Sequence, residues 1–430
     1  MTNVKVLVVN CGSSSLKFSV HEMDDTAQNS DLGVDKRLLN GKVTDIGGEA
    51  RCVLSDSQHS CSFNRSISDI NAAVKWMCEM LQDPQQAYAY WKGIEAVGHR
   101  VVHGGETFTQ AVRISDEILN QIEQLNDLAP LHNPFCVAGI RTLKQAFGET
   151  IPMVAVFDTA FHNTLPEHAS TYALPLELTK KAGIRRYGFH GIAHASLAEG
   201  YARLTKQPLQ QSRLITLQLG HGCSMTAIAQ GQSVETSMGF TPLEGLVMGT
   251  RSGNVDPAIV CHLMTNHDMN VLEVEQCLNE QSGLLGLSGR SSDMHVLLQV
   301  SNEVQDERAL LAIQIFCYRI QQFLGAYLAV LHGADAIVFG GGIGENSPEI
   351  RTKVCAGMAW CGLQLDSDRN REARNMRSGD VAKISCDNSR LAAYVAATDE
   401  ETLIAKETLH CLETPKSRTS PSHLSPYTFD

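Results

Sequence analysis

Hydrophobic and polar positions change period several times along the chain, and each change marks an element. Residues 4–10 are an apolar run that stops at Cys-Gly-Ser-Ser-Ser, after which Leu16, Phe18 and Val20 alternate with other residues. That pattern predicts two antiparallel strands joined by a tight turn. Over 68–82 the period lengthens, and Ile70, Val74, Met77 and Leu81 fall on one face of a helix. The strand–turn–strand pattern returns at Leu214: Leu-Ile-Thr-Leu-Gln-Leu, then Gly-His-Gly-Cys-Ser, Met-Thr-Ala-Ile-Ala-Gln, a Gly-Gln turn and Ser-Val-Glu-Thr-Ser. Its recurrence predicts an internal duplication, two similar domains facing each other.

The longest helical pattern covers 306–332, with Asp306 as N-cap and Gly333 as C-cap. Leu310, Leu311, Ile313, Ile315, Phe316, Ile320, Phe323, Leu324 and Leu328 make it apolar on most faces, as expected of a helix buried in a core or at a subunit interface. A strand at 336–339 follows, then Gly-Gly-Gly-Ile-Gly-Glu-Asn, then Ser347-Pro348-Glu349 opening another helix. Strands alternating with helices predict an α/β architecture. A chain of 430 residues exceeds one core and calls for two domains. Residues 414–430 are rich in Ser, Thr and Pro and read as a disordered tail.

Composition narrows the function. With a formal net charge of -12 the chain lacks the basic balance of a nucleic-acid binder. A locally positive cleft for a small anion remains compatible with that charge. The 13 cysteines show no zinc-ligand spacing and read as reduced thiols of a cytoplasmic protein. No signal peptide is read at the start, and no run of about 20 apolar residues predicts a membrane span.

Four groups of residues carry candidate chemistry. Asn10-Cys-Gly12-Ser13-Ser14-Ser15-Leu-Lys17 is a strand-to-strand turn whose backbone N–H groups, hydroxyls and lysine suit a phosphate. Gly220-His221-Gly222-Cys-Ser224 repeats that setting, and two such turns would hold the two ends of a polyphosphate. Each turn alone is equally explained as a plain hairpin. Phe339-Gly340-Gly341-Gly342-Ile343-Gly344-Glu345-Asn346 lies between a strand and a helix, where glycines admit a nucleotide to the backbone. No clean βαβ unit with a following acidic residue accompanies it. Lastly, His99-Arg100-Val-Val102-His103, Arg185-Arg186-Tyr-Gly-Phe189-His190 and Gly249-Thr-Arg251 embed cations among glycines and apolar residues, which directs arginines at an anion. Each histidine taken singly is equally a satisfied core residue. Asp158 ends a buried-looking strand and must be paired or functional.

A short carboxylic acid has a pKa near ~4–5 and is ionised at neutral pH, so it needs no general base. The difficulty is bringing it to a polyphosphate of the same sign, which requires cations and N–H donors on both. Paired turns, a metal and several Arg and His residues meet that need. A sugar kinase would instead want an Asp to orient a neutral hydroxyl.

At this point the residues resemble a known family. Val-Val-Asn-Cys-Gly-Ser-Ser-Ser-Leu-Lys-Phe, Gly-His-Arg-Val-Val-His-Gly-Gly-Glu-Thr-Phe, Leu-Ala-Pro-Leu-His-Asn-Pro, Val-Phe-Asp-Thr-Ala-Phe-His, Arg-Arg-Tyr-Gly-Phe-His-Gly, Glu-Thr-Ser-Met-Gly-Phe-Thr-Pro-Leu-Glu-Gly-Leu, Ile-Val-Phe-Gly-Gly-Gly-Ile-Gly-Glu-Asn-Ser-Pro-Glu-Ile-Arg and Thr-Asp-Glu-Glu follow the order of the acetate/propionate kinase family, within the actin/hexokinase-like phosphotransferases. The resemblance implies two actin-like (ribonuclease H-like) α/β domains, with mixed sheets flanked by helices and a central cleft. It implies an N-terminal domain at 1–155 completed by a C-terminal helix at 391–410, a nucleotide-binding domain at 156–390, and a tail at 411–430. The implied activity is Mg2+-dependent (or Mn2+-dependent), reversible phosphoryl transfer from ATP to acetate by direct in-line attack. The implied partner is a second copy of the chain.

The resemblance also assigns roles. Arg100 and Arg251 clamp the acid and the transferring phosphoryl group, His190 stabilises its oxygens, and Asp158 orients Arg or helps the metal site. Val102, Leu131, His132, Phe189 and Pro242 surround the acid, while Asn10 and Glu400 position the metal. Ser15, Lys17, Gly220, His221 and Gly222 take the ATP phosphates. Asp293, Met294, His295, Gly342, Ile343, Gly344 and Asn346 surround the nucleoside. Departures accompany the match: Gln218 and His221 stand where the family usually has His and Asn, His295 where it has Arg, Ile192-Ala193 where it has Thr-Ser, and Asn254 where it has Asp. Alternatives left open are propionate or another short acid as acceptor, pyrophosphate as donor, and a non-catalytic actin-like role.

Overall fold

A computed structural model describes residues 3–24, 36–56, 58–83, 90, 92–148 and 150–413. The expected tail at 414–430 lies outside the described residues. The chain forms two compact units, Met1–Phe161 with Glu400–Asp430, and His162–Asp399.

The first unit is built on an eight-stranded mixed sheet. Its strands are β1 (Asn3–Cys11), β2 (Ser15–Asp24), β3 (Lys36–Thr44), β4 (Gly48–Ser55), β5 (Ser60–Ile67), β6 (Ile94–Val101), β7 (Val112–Arg113) and β8 (Met153–Phe157), in the order β5-β4-β3-β2-β1-β6-β8-β7. The predicted opening hairpin is present: β1 and β2 are antiparallel, with Asn10 opposite Lys17 and Cys11 opposite Leu16. Beyond β1 the sheet turns parallel, through β6 and β8. Helix Ile70–Gln82 starts where Asp69 accepts from the Ala72 amide, and buries Ile70, Val74, Met77 and Leu81, the face read from the sequence. Gly98 and Arg100 are two residues apart on β6 and so share a face. That face is covered at Gly98 by helix Glu400–Glu413, where an added Cβ would come within 2.3 Å of Thr408 Oγ1.

The second unit repeats the pattern. Strands β9 (Arg213–Leu219), β10 (Cys223–Ala229), β11 (Gln232–Thr236), β12 (Ala336–Gly340), β13 (Val381–Lys383) and β14 (Ala392–Ala396) lie in the order β11-β10-β9-β12-β14-β13. Strands β11, β10 and β9 are antiparallel neighbours, and β9, β12 and β14 are parallel. The sequence β3-β2-β1-β6-β8 in the first unit has the same directions. The duplication is therefore one of topology.

Several expectations need correction. The stretch 391–410 is not one helix. Residues Ala392–Ala396 pair with β12, and the helix begins at Glu400 and runs to Glu413. Ala-rich sequence favours helix, but the tertiary pairing overrides propensity. The first unit also extends to 161, past the boundary placed at 155. Strand β12 is joined to its parallel neighbour β14 through helices Gly341–Asn346 and Pro348–Cys355, so a β-helix-β crossover does follow the glycine run. The long helix is Glu307–Val330, capped by Asp306 as read, but its C-cap is Leu331, with Gly333 at φ 94° beyond it. It is long and apolar enough by composition to cross a membrane, against the reading that no segment is. One face, including Ala312, Ile313, Phe316, Ile320 and Leu324, is buried in the second unit, which is how a core helix behaves. Leu310, Leu311 and Tyr318 are exposed.

Candidate active site

In the first unit, strand ends converge on one guanidinium. Asn10 comes from β1, Arg100 from β6, and Asp158 directly follows β8. Arg100 Nε donates to Asp158 Oδ1 at 2.9 Å, its Nη2 donates to Oδ2, and its Nη1 donates to Asn10 Oδ1 at 3.1 Å. Asp158 is 2% exposed. Burial works against the charge of Arg100, but Asp158 and then Glu400 outweigh it and hold the guanidinium firmly cationic. This two-point fork fixes the plane of the group. Asn10 and Asp158 accept from it, and Glu400 lies near enough to act on its charge. Among the described residues no three His, Cys, Asp or Glu side chains form a metal cage. Two carboxylates and an amide oxygen nonetheless suit Mg2+, which keeps several waters and takes substrate phosphates as ligands.

The other first-unit positions are placed as follows. Val102 is buried, Leu131 is 49% exposed, and His132 stands at the N-cap of helix Asn133–Phe147. Gly12 donates to the Ser15 carbonyl within the first turn, and Lys17 is exposed on β2. His99 and His103 are buried, and burial lowers them to about 3 and about 4. They are core histidines.

In the second unit a separate group forms around the turn 220–222 between β9 and β10. Gly220 N donates to Gly222 O at 3.1 Å, and Gly249 N donates to His221 O at 2.9 Å. Gly222 has no side chain to fill the space in front of it. A Cβ there would lie 3.3 Å from His190 Cε1, 3.5 Å from His190 Nε2 and 3.6 Å from Arg251 Nη1. One at Gly220 would lie 4.0 Å from the Gly342 amide. The two glycine segments adjoin because β9 and β12 are neighbours, with Gln218 opposite Gly340. Arg251 donates to the Pro242 carbonyl at 3.3 Å and, among the described residues, has no carboxylate within ion-pair distance. Burial lowers its pKa. Burial and Arg251 together lower that of His221. Phe189 is 1% exposed, directly before His190.

The nucleotide-loop residues divide. Helix Gly341–Asn346 is held by Glu345 Oε1, which accepts from the Gly341 and Thr398 amides, and by Asn346 Nδ2 donating to Gly342 O. Ile343 and Gly344 lie within it. Asp293 caps helix Met294–Glu303 by accepting from the His295 amide at 2.8 Å, with His295 exposed and Met294 buried in the core. Gln218, in place of the family's His, accepts from Thr398 Oγ1 at 3.1 Å.

Arg186 was expected to face an anionic ligand. It is instead committed to its own chain, donating to Glu244 at 2.9 Å with Glu235 at 3.8 Å. Sequence reasoning gives His194 and Thr216 no role and Ser224 only a place in the 220–224 turn, yet the three extend from His190 in an unbroken line of hydrogen bonds. The only signal for them was the spacing of His190 and His194, one helical turn apart.

The comparisons with known proteins agree with one another. The model of the Acetokinase family matches residues 5–406. The chain is 49% identical over 413 residues to an acetate kinase of Solibacter usitatus, covering 95% of this chain and 98% of that protein. A crystal structure of Porphyromonas gingivalis acetate kinase superposes with TM-score 0.85 at 36% identity, over 95% of this chain and 100% of that one. A propionate kinase from Francisella tularensis gives TM-score 0.85 at 38% identity, over 95% and 99%.

Proposed function

The chain belongs to the acetokinase family, and from that premise we propose that it transfers the terminal phosphoryl group of ATP to acetate, reversibly, giving acetyl phosphate and ADP. The acid arrives ionised, so the protein's task is to lower the repulsion between two anions. The observation that carries this reading is Arg251: a largely buried guanidinium beside Gly222 and His190 with, among the described residues, no carboxylate within ion-pair distance to neutralise it. Such a charge is costly unless an anion completes it. A transferring phosphoryl group, in contact with the 220–222 turn, would do so.

The remaining roles follow from chemistry. Arg100, held flat by Asp158, pairs with an anionic oxygen. His190 Nε2 supports the oxygens in transfer. Val102, Leu131 and His132 of the first unit and Phe189 and Pro242 of the second are the residues assigned to the acid by the family motifs. Ser15 and Lys17 meet phosphate oxygens, as do Gly220, His221 and Gly222. Gly342, Ile343, Gly344 and Asn346 hold the nucleoside with Asp293 and His295; Met294 contributes backbone only. Asn10 and Glu400, with Asp158 nearby, would hold Mg2+ or Mn2+, which supplies charge neutralisation at the phosphates.

Incubating the purified protein with ATP, Mg2+ and hydroxylamine against formate, acetate, propionate and butyrate tests this. Acetyl hydroxamate is the expected product, and no hydroxamate from any of the acids overturns it. The Francisella propionate kinase matches as well as the acetate kinase does, so a preference for propionate is the second reading; one methylene is discriminated by only about 1–3 kcal/mol.

A second copy of the chain is the proposed partner. Helix Ala258–Asn266 buries none of its residues, and Ile259, Met264, Val271 and Leu272 are exposed there and on helix Val271–Glu280. An apolar surface of that kind calls for a partner. Light scattering should give twice the chain mass. The cytoplasm is the proposed compartment, in keeping with 13 free thiols.

A further inference from the structure

His190 does not stand alone. It takes φ 57° at the start of helix Gly191–Thr205, and its Nδ1 lies 2.8 Å from Ser224 Oγ on β10. Ser224 Oγ lies 2.8 Å from His194 Nε2, and His194 Nδ1 lies 2.8 Å from Thr216 Oγ1 on β9. Thr216 Oγ1 reaches the carbonyl oxygen of Thr226 at 3.5 Å. Ser224, His194 and Thr216 are each 0% exposed. No solvent reaches the line, so its protons must be ordered by its own members.

Two proton orders satisfy the line, and the Thr226 carbonyl, which only accepts, favours the one in which Thr216 donates to it and accepts from His194 Nδ1. His194 is neutral, since burial, with His162 and His190 nearby, holds its pKa well below the usual imidazole range. Its Nε2 therefore accepts, from the Ser224 hydroxyl. Ser224 in turn accepts from His190 Nδ1–H. The other nitrogen of His190, Nε2, is the one beside Gly222 and Arg251. With its Nδ1 proton already committed, His190 offers a hydrogen bond at Nε2 only as an imidazolium.

We propose that Ser224 and His194 are positioning residues that fix His190 in the Nδ1–H form, so that it meets the transferring phosphoryl group as a cation and not as a neutral donor. The inference deepens the phosphotransferase reading and rests on it. The charged and titratable groups near His190 on neighbouring elements are Arg251, His221, His162 and His194. His162 has its own partners, Ser233 and the Phe189 carbonyl. It is buried, which lowers it to about 4, and it stays neutral beside the line.

The test combines Ser224→Ala with 15N spectra of histidine-labelled protein. In the parent without substrate, His190 should show the Nδ1–H tautomer at high pH; an Nε2–H tautomer overturns the proposal. In Ser224→Ala that tautomer should be lost. Its kcat should fall about 10- to 100-fold, as expected for one buried hydrogen bond lost in the transition state. KM values should change little, the acid limb of the kcat–pH profile should move, and Ser224→Thr should restore activity. A melting curve separates misfolding from loss of function. A variant within twofold of the parent with an unaltered His190 spectrum overturns the assignment. Because the spectra need no acid substrate, a parent that makes no hydroxamate defeats the functional reading and still leaves the tautomer measurable.

Discussion

Arg100 and Asp158 meet as a two-point fork, Nε on one carboxylate oxygen at 2.9 Å and Nη2 on the other, with Asn10 steadying the third nitrogen. All three side chains leave the ends of adjacent parallel strands, so the sheet itself sets their spacing. Asp158→Asn keeps the shape and removes the charge. It leaves either Nη2 or Nε facing the amide NH2, a donor against a donor. The expected outcome is a fall in kcat/KM of about 100-fold or more and a loss of about 3 kcal/mol of stability, read by steady-state kinetics and urea unfolding. Parent-like values in both would remove Asp158 from the site.

Arg251 has the opposite surroundings, a guanidinium with no acid within ion-pair distance among the described residues. Arg251→Ala should lower turnover by about 1,000-fold, the loss of a cation aimed at transition-state charge. Nucleotide affinity measured by calorimetry should stay within a few-fold of the parent. Stability should not fall, because a poorly compensated buried charge is gone. A variant that loses ATP binding and turnover in equal measure would show that Arg251 serves the ground state.

The hairpins around both glycine turns were legible because turn residues and strand alternation are local signals. The family motifs then placed Arg100, Asp158, His190 and Arg251 together in function. What could not be read was set by partners distant in sequence. Arg186 looked aimed at a ligand because Glu235 and Glu244 lie far along the chain. The stretch before Glu400 looked helical because its pairing with β12 is non-local. The line from His190 through Ser224 and His194 to Thr216 joins three elements, and the spacing of His190 and His194 announces only one end of it.

Three buried histidines of the first and second units, His99, His103 and His162, are held at about 3, about 4 and about 4 by burial. Their unfolded values lie near 6.5, so between about pH 6.5 and 4 the unfolded chain binds protons that the folded chain does not. Stability therefore falls as pH drops through that window, by up to about 1.4 kcal/mol per pH unit for each histidine. Urea midpoints at pH 5 and pH 7 should differ accordingly. His99 Nε2 has no hydrogen-bond partner. His99→Leu should flatten the slope at little cost at pH 7; an unchanged slope would mean that His99 titrates in the folded protein.

Arg351 is 0% exposed and spends its guanidinium on carbonyls: Gly344, Glu345, Asn370 and Ala373, with the Asn370 side chain. It thereby ties down the end of the glycine-rich segment Gly341–Asn346. Arg351→Lys retains the charge but not the fork, and leaves several buried carbonyls unmet. A loss of about 2–4 kcal/mol is expected, together with a raised KM for ATP and a smaller change in the KM for the acid. Equal effects on both would place the damage elsewhere.

The return of helix Glu400–Glu413 to the first unit has a consequence for biosynthesis. As the ribosome delivers the chain, the β6 surface at Gly98 is already made, yet the helix that covers it emerges only after residues 162–399. At about 5–20 residues per second, that interval lasts tens of seconds. The second unit can mature during the wait, while the first remains an unfinished nascent chain. Its final closure therefore waits for the whole second unit, and premature termination before Glu400 should yield a product that chaperones retain.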